Sequence, residues 1–197
     1  FLINNCYYLD CIDSQYPFKE GILFPNTYFY KKDMLASSIL KQSYNKLDLV
    51  LSELWSKKPP NNILKDKNEA LILASIIEKE AGNDNEKSLI ASVFLKRIEI
   101  GMRLQADPTI IYGLLPNFDG DIKKSDILDK NNPYNTYMIK SLPPTPIAIP
   151  SLTSIEAAVL STPGEYLFFV ANTPTSHYFS KTYDEHLSMI KTLGLNK

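Results

Sequence analysis

The chain has 197 residues, with 21 Lys and Arg against 22 Asp and Glu, which gives a formal net charge of −1 at neutral pH. This balance argues against nucleic acid as a partner, because nucleic-acid-binding proteins usually carry a basic excess. The hydrophobic fraction of 44% and the charged fraction of 22% are ordinary for a globular protein with a buried core. Two His and two Cys argue against a protein zinc site, and we predict no metal.

The chain starts at Phe1, so we expect a fragment or a processed form of a longer protein. No run approaches the roughly 18 apolar residues that a membrane span needs, and no signal peptide is visible. Cys6 and Cys11 could form a disulfide or remain free thiols, and two cysteines do not fix the redox compartment.

Hydrophobic periodicity predicts three helices in the first half of the chain, at about residues 31–55, 68–81 and 83–100. Gly82 follows the second helix and Gly101 the third, and we predict both as C-terminal caps, since glycine adopts the left-handed conformation at little cost. The short link between the last two helices indicates an αα-hairpin.

The other segments predict a small amount of strand. Residues 22–30 are rich in β-formers, and Pro25 limits them to an edge or bent strand. Residues 114–151 are rich in Pro, Asn and Asp and predict a long ordered loop, whereas residues 166–170 and 177–179 predict two strands around a turn. We therefore predict an α+β fold, helical with a small antiparallel sheet.

The second predicted helix ends with a carboxylate on its apolar face. At 3.6 residues per turn, Glu80 lies on the same stripe as Leu73 and Ile76, whereas Glu78 turns to the side or to solvent. Desolvation raises the pKa of a carboxyl, and the partial negative charge at a helix C-terminus acts in the same direction. Both effects favour a protonated Glu80 near neutral pH, the form that a general acid needs.

A structural role for Glu80 stays open at this point. A Glu at a helix end can bend into solvent or pair with Lys79, Lys87 or Arg97. Perturbed carboxylates mark functional sites only as a statistical tendency.

Further candidates precede and follow the next short helix. Gln105, Asp107 and Thr109 lie at its start, where Asp107 also fits an N-cap followed by Pro108 at the first helical position. That structural role competes with a functional one for Asp107.

Asn135 and Tyr137 belong to a loop that mixes amides and aromatic rings. Such a mixture suits a sugar-binding groove, although turn chemistry accounts for the same residues without a ligand. Pro144 lies in a stiff segment, residues 142–146, that could wall a cleft or serve as a rigid connector.

Both histidines are interpreted as structural. His177 lies among aromatic residues in a predicted strand and is assigned to packing, and His186 to the surface of the last helix. The sequence has no Gly-rich phosphate loop and no Gly-x-Ser-x-Gly turn. Acid–base chemistry at a carboxylate, without a cofactor, is the chemistry that remains.

At these residues the sequence resembles the endolytic murein transglycosylases, the MltG or YceG-like family. The resemblance rests on four blocks and a weaker tail: residues 20–28 (EGILFPNTY), 73–80 (LASIIEKE), 91–97 (ASVFLKR) with 101–113 (GMRLQADPTIIYG), 134–137 (YNTY) with 142–148 (LPPTPIA), and 166–170 with 177–179. Two positions depart from the family pattern: Asn26 stands where Asp is usual, and Ala106 where Thr or Ser is frequent.

The resemblance implies a single YceG-like catalytic domain over residues 1–197, with Glu80 as catalytic acid and base. Residues 1–30 would form an initial strand region, the remnant of a preceding LysM-like part. The predicted substrate-binding residues are Glu20, Gln105, Asp107, Thr109, Asn135, Tyr137 and Pro144.

The reaction implied by the resemblance is cleavage of the β-1,4 bond between N-acetylmuramic acid and N-acetylglucosamine, which leaves a 1,6-anhydro end. Three alternatives stay open: a hydrolase that uses Glu80 with Asp107, a glycan-binding module without activity, and an interaction domain of cell-wall synthesis. The implied partners are peptidoglycan strands and cell-wall synthases. The implied location is the periplasm or the outer face of the cytoplasmic membrane, through a single membrane anchor of the parent protein.

Overall fold

The structure is a computed structural model that describes residues 9–195. Over that range it contains seven α-helices, one short 3₁₀ helix and a two-stranded sheet, so the predicted α+β class is confirmed. The helices are α1 (Ala36–Ser56), α2 (Lys67–Glu80), the 3₁₀ helix (Asp84–Glu86), α3 (Lys87–Glu99), α4 (Asp107–Leu114), α5 (Lys124–Ile127), α6 (Leu152–Leu160) and α7 (Tyr183–Thr192). The strands are β1 (Phe168–Thr173) and β2 (Ser176–Ser180).

Helix α2 is the centre of the hydrophobic core. Its residues 70–77 are all buried, and α6 packs against α1, α2 and α3. The Asp66 side chain caps the start of α2 by accepting a hydrogen bond from the Glu69 backbone N–H at 2.9 Å. The three predicted helices of the first half are confirmed, although the 3₁₀ helix lengthens the predicted link between the second and the third.

The two predicted glycine caps have different outcomes. Gly101 has a φ of 68° after α3, as predicted. Gly82 is not left-handed, and α2 is capped by Ala81 instead. A Cβ on Gly82 would lie 2.8 Å from the Cα of Thr175, so this glycine is needed for the close approach of the hairpin turn to the end of α2.

The predicted strand at residues 22–30 is wrong, because that segment is irregular. Its apolar residues Ile22 and Phe24 are still buried in the core. The Ser43 hydroxyl bonds both the backbone N–H and the carbonyl of Phe24 at 2.9 Å, and so satisfies groups that a strand partner would otherwise bind. Residues 1–8 of the predicted initial region, with Cys6, lie outside the described residues, and Cys11 is disulfide-bonded.

The two C-terminal strands are confirmed. β1 and β2 pair antiparallel, with Phe169 opposite Phe179 and Ala171 opposite His177. α7 packs against this hairpin. The loop over residues 114–151 is also confirmed, with only the short α5 inside it. No helix of the described part of the chain is long and apolar enough to cross a membrane.

Candidate active site

A cavity of about 250 Å³ opens at the C-terminal end of α2. Its walls come from the ends of α2 and α3, the start of α4, the loop before α6 and the hairpin. The residues that line it are Glu80, Arg97, Gln105, Asp107, Tyr137, Phe169, Val170, Ala171 and His177.

Glu80 is the last residue of α2 and lies one turn beyond the fully buried Ile76 and Ile77. Among residues 9–195 its carboxyl has no hydrogen-bond or ion-pair partner within reach, and it opens into the cavity. Burial raises the pKa of Glu80 to about 8, the nearby charge of Asp107 adds to this, and Arg97 opposes it. The carboxyl is therefore protonated near neutral pH, as the helical pattern predicts.

Arg97 brings a buried positive charge to the same cavity. Its Nε donates to the Leu167 carbonyl at 2.7 Å, an Nη donates to the Leu104 carbonyl, and its guanidinium carbon lies 5.5 Å from the centre of the Phe168 ring. Burial lowers the pKa of Arg97 to about 10, which leaves it charged at neutral pH. These contacts hold the cation near Glu80 without a direct ion pair, so it can stabilise the Glu80 carboxylate once the proton has left.

Asp107 lies at the first turn of α4, but the N-cap residue is Ala106. The N-cap prediction for Asp107 is therefore wrong. Its carboxylate instead accepts a hydrogen bond from the Tyr137 hydroxyl at 2.6 Å. Burial, together with this bond, raises the pKa of Tyr137, so the phenol stays protonated and remains a donor. Gln105 adopts the left-handed conformation, with φ of 52°, at the same edge of the cavity.

Two of the predicted binding residues lie beneath the cavity rather than in its wall. Thr109 and Asn135 are completely buried. The Thr109 hydroxyl donates to the Ala106 carbonyl at 2.6 Å and lies 2.8 Å from the Thr136 hydroxyl. The Asn135 Oδ1 accepts a bond from the Tyr137 backbone N–H at 3.0 Å, while its Nδ2 donates to three backbone carbonyls of residues 126–129. Thr109 therefore joins the start of α4, which carries Asp107, to Thr136, and Asn135 holds the loop that carries Tyr137.

The remaining two predicted binding residues lie away from this cavity. Glu20 lines a separate cavity of about 290 Å³ with its neighbours in residues 19–23. Pro144 is exposed and does not line the Glu80 cavity.

Glu78 turns to the side, away from the Glu80 cavity, as predicted, but its carboxylate is bound at the junction of α2 and α6 rather than free in solvent. Its Oε2 accepts bonds from the backbone N–H of Ser151 at 3.0 Å and from the hydroxyls of Ser151 and Ser154 at 2.5 Å. The Lys87 ammonium lies 3.2 Å away. Burial opposes ionisation, but these bonds outweigh it and lower the pKa of Glu78.

The hairpin wall of the cavity is the part that sequence reasoning missed. His177 packs edge-on against Phe169, with ring centres 5.3 Å apart, which agrees with its assignment to packing. It also lines the cavity, and its Nδ1 lies 2.8 Å from a carboxylate oxygen of Glu86. The alternation of β2 places His177 on one face with Phe179, but only the fold shows which face meets Glu80.

Within residues 9–195 there is no group of three or more His, Cys, Asp or Glu side chains arranged to hold a metal ion. The side chains that line the cavity can supply proton transfer, hydrogen bonding and one buried positive charge.

Comparisons of this chain with known proteins all point to the same family. Residues 5–192 match the sequence profile of the family described as YceG-like. The chain is 36% identical over 168 residues to an endolytic murein transglycosylase of Bacillus subtilis (strain 168), which covers 85% of this chain and 46% of that protein. It is 33% identical over 171 residues to an endolytic murein transglycosylase of Streptococcus pneumoniae (strain D39), which covers 85% of this chain and 31% of that protein. The chain thus spans less than half the length of these two relatives.

A solved structure is similar as well. The crystal structure of a putative YceG-like protein from Listeria monocytogenes matches with a TM-score of 0.71 and 35% identity. The match covers 86% of this chain and 54% of that one.

Proposed function

The chain belongs to the YceG-like family, and we propose that it is the catalytic part of an endolytic lytic transglycosylase. Its substrate is the peptidoglycan glycan strand, cut at the β-1,4 bond between N-acetylmuramic acid and N-acetylglucosamine. The main support is Glu80, a protonated carboxyl without partners among the described residues, which opens into a cavity lined by hydrogen-bonding groups.

In the proposed mechanism Glu80 acts twice. It first gives its proton to the glycosidic oxygen, the bond from that oxygen to C1 of the muramyl sugar breaks, and the N-acetylglucosamine end leaves as an alcohol. The Glu80 carboxylate then takes the proton of the muramyl C6 hydroxyl, whose oxygen closes onto C1. The 1,6-anhydro ring forms, Glu80 is protonated again and no water is consumed.

The other cavity residues have two proposed roles, stabilising the charge that develops during the reaction and binding the sugar. Arg97 lies close enough to lower the energy of the Glu80 carboxylate between the two steps. We propose that Gln105, Asp107 and Tyr137 bind the sugar, since they line the cavity. Thr109 and Asn135 act through the segments that they hold, the start of α4 and the loop of Tyr137.

A two-carboxylate hydrolase is the second candidate. It is favoured by Asp107, which lines the same cavity and whose charge contributes to the raised pKa of Glu80. In that reaction one carboxyl protonates the leaving group, and the other carboxylate activates water or attacks the sugar. The product is a reducing end rather than an anhydro end.

The masses of the products separate these functions. Uncrosslinked glycan strands are digested with the wild-type protein and analysed by mass spectrometry, and we expect anhydro ends, each lighter by one water than a reducing end. Glu80→Gln should release almost no product. Glu53→Gln, a matched change at an exposed ion pair on α1, should cleave like the wild type. Reducing ends would favour the hydrolase, and binding without cleavage would favour a glycan-binding module.

We also propose that the enzyme acts in the periplasm or at the outer face of the cytoplasmic membrane, where this substrate lies, next to cell-wall synthases. The proposed anchor belongs to the longer parent protein. Fractionation of cells that express the full-length protein would test the location, and crosslinking in those cells would test the partners.

A further inference from the structure

One carboxylate holds His177 at two points. Glu86 Oε1 accepts a hydrogen bond from the His177 backbone N–H at 2.9 Å, and Glu86 Oε2 lies 2.8 Å from the ring Nδ1. The side chains of His177 and Glu86 are only 12% and 17% exposed. Because Glu86 engages Nδ1, Nε2 is the ring nitrogen that this contact leaves available to a ligand.

The Nε2 atom of His177 is open to a ligand. It makes no hydrogen bond within residues 9–195. Two fully buried polar side-chain atoms in that range have no hydrogen-bond partner, Ser180 Oγ and His186 Nδ1. The Nε2 of His177 is not among them, so this unpaired atom is accessible to solvent. The edge-on contact with Phe169 fixes the ring further. A fixed ring with one free nitrogen thus lines the cavity that contains Glu80.

We propose that His177 is a substrate-binding residue whose Nε2 forms a hydrogen bond with a sugar hydroxyl, and that Glu86 is the residue that positions it. The identity of the sugar rests on the function proposed above. With Nδ1 engaged by Glu86, Nε2 is the ring nitrogen left for a ligand, and a sugar hydroxyl, which can both donate and accept, can hydrogen-bond to it. Glu80 and His177 would then contact the same sugar from α2 and from the hairpin.

Two substitutions separate this role from packing. His177→Asn leaves an amide N–H near the position of Nδ1, which keeps the donor to Glu86 and removes Nε2. His177→Gln places its amide near the position of Nε2 and restores a polar group there. Tyr178→Asn is the matched control, because Tyr178 is the next residue on β2, points to the other face and is 39% exposed.

Binding to uncrosslinked glycan strands is measured first in a Glu80→Gln background, because we expect this variant to bind the strands without cutting them. We expect His177→Asn to raise the Kd about tenfold, which corresponds to the loss of one hydrogen bond. His177→Gln should recover most of the affinity, and Tyr178→Asn should leave the Kd unchanged. In the active protein, His177→Asn should raise KM by a similar factor and leave kcat nearly unchanged.

The role of Glu86 is tested with a double-mutant cycle that combines Glu86→Ala with His177→Asn. Glu86→Ala frees the ring and should weaken strand binding when His177 is present, with no further loss when His177→Asn is already in place. Additive losses would overturn the positioning role.

Three results would overturn the proposal for His177: wild-type binding by His177→Asn, equal losses in the Asn and Gln variants together with a lowered Tm, or no strand binding by the Glu80→Gln protein. If the active protein cuts nothing but His177→Asn still weakens binding, the proposed transglycosylase activity fails and the role of His177 stands.

Discussion

Glu78 and Glu80 lie two residues apart on α2, yet one faces the junction with α6 and the other faces the cavity. At the junction, hydrogen bonds from Ser151 and Ser154 and the charge of Lys87 outweigh burial and lower the pKa of Glu78. At the cavity, burial acts without such bonds and raises the pKa of Glu80. Local hydrogen-bond partners, rather than position on the helix, therefore decide which acid is structural and which is available for chemistry.

The largest expected effect is that of Glu80→Gln. The change should lower strand cleavage by about 10²–10⁴-fold or more, the usual contribution of general acid–base catalysis. It should also alter the pH dependence of stability. The unfolded chain loses the Glu80 proton near its ordinary pKa of 4.5, whereas the folded protein keeps it until about 8. The free energy of unfolding of the wild type should therefore fall, relative to that of the variant, as pH rises from 4.5 to about 8.

Urea unfolding of both proteins at several pH values measures this difference. Each pKa unit between the folded and unfolded states corresponds to about 1.4 kcal/mol. A difference that stays constant from acid to alkaline pH would contradict the buried, protonated state of Glu80.

Glu78→Gln should have the opposite profile. We expect it to destabilise the protein by about 1–3 kcal/mol at neutral pH, since it weakens hydrogen bonds to a charged group and leaves Lys87 without one of its carboxylates. Because the folded pKa of Glu78 is lowered, its contribution is present above the ordinary pKa of 4.5 and is lost as pH falls. The destabilisation measured by urea unfolding should therefore shrink in acid.

Strand cleavage should distinguish the two acids as well. The folded Glu78→Gln protein should cut strands at nearly the wild-type rate. If it is as inactive as Glu80→Gln while fully folded, the division into a structural and a reactive acid is wrong.

The smallest effect is expected for Asp107→Asn, which removes the like charge from the cavity. Burial is the main cause of the raised pKa of Glu80, and Asp107 adds less. The alkaline limb of the pH–rate profile should therefore move to lower pH, but most of the elevation should remain. The amide oxygen can still accept the Tyr137 hydroxyl bond, so the cavity should keep its shape. Complete loss of cleavage would instead favour Asp107 as the second carboxylate of a hydrolase.

The sequence predicts the parts of this molecule that depend on local periodicity. The apolar stripe of α2 places Glu80 at a buried helix end, and the strands of the hairpin are visible in their β-forming residues. The local pattern misleads at Asp107, where an N-cap motif precedes a helix whose N-cap is Ala106. It also misleads at residues 22–30, where the Ser43 hydroxyl satisfies backbone groups in place of a neighbouring strand.

Long-range contacts are the parts that the sequence cannot predict. The Glu86–His177 contact joins residues 91 positions apart, and the bonds from Ser151 to Glu78 span 73 positions. No periodic pattern connects such residues. The presence of His177 in the cavity wall and the pairing of Glu78 therefore depend on how the helices and the hairpin pack.

The close approach at Gly82 has a consequence for the order in which the cavity is assembled. The turn of the hairpin reaches the end of α2 at Gly82, and the Asn83 amide beside it donates to the Thr175 carbonyl, 92 positions along the chain. Because closing a loop of this length costs entropy, we expect the hairpin to dock on α2 after the local helices have formed. A chain that has formed α2 but not yet docked the hairpin thus leaves Glu80 with only part of its enclosure, so the Glu80 cavity should be complete only when the last third of the chain has folded.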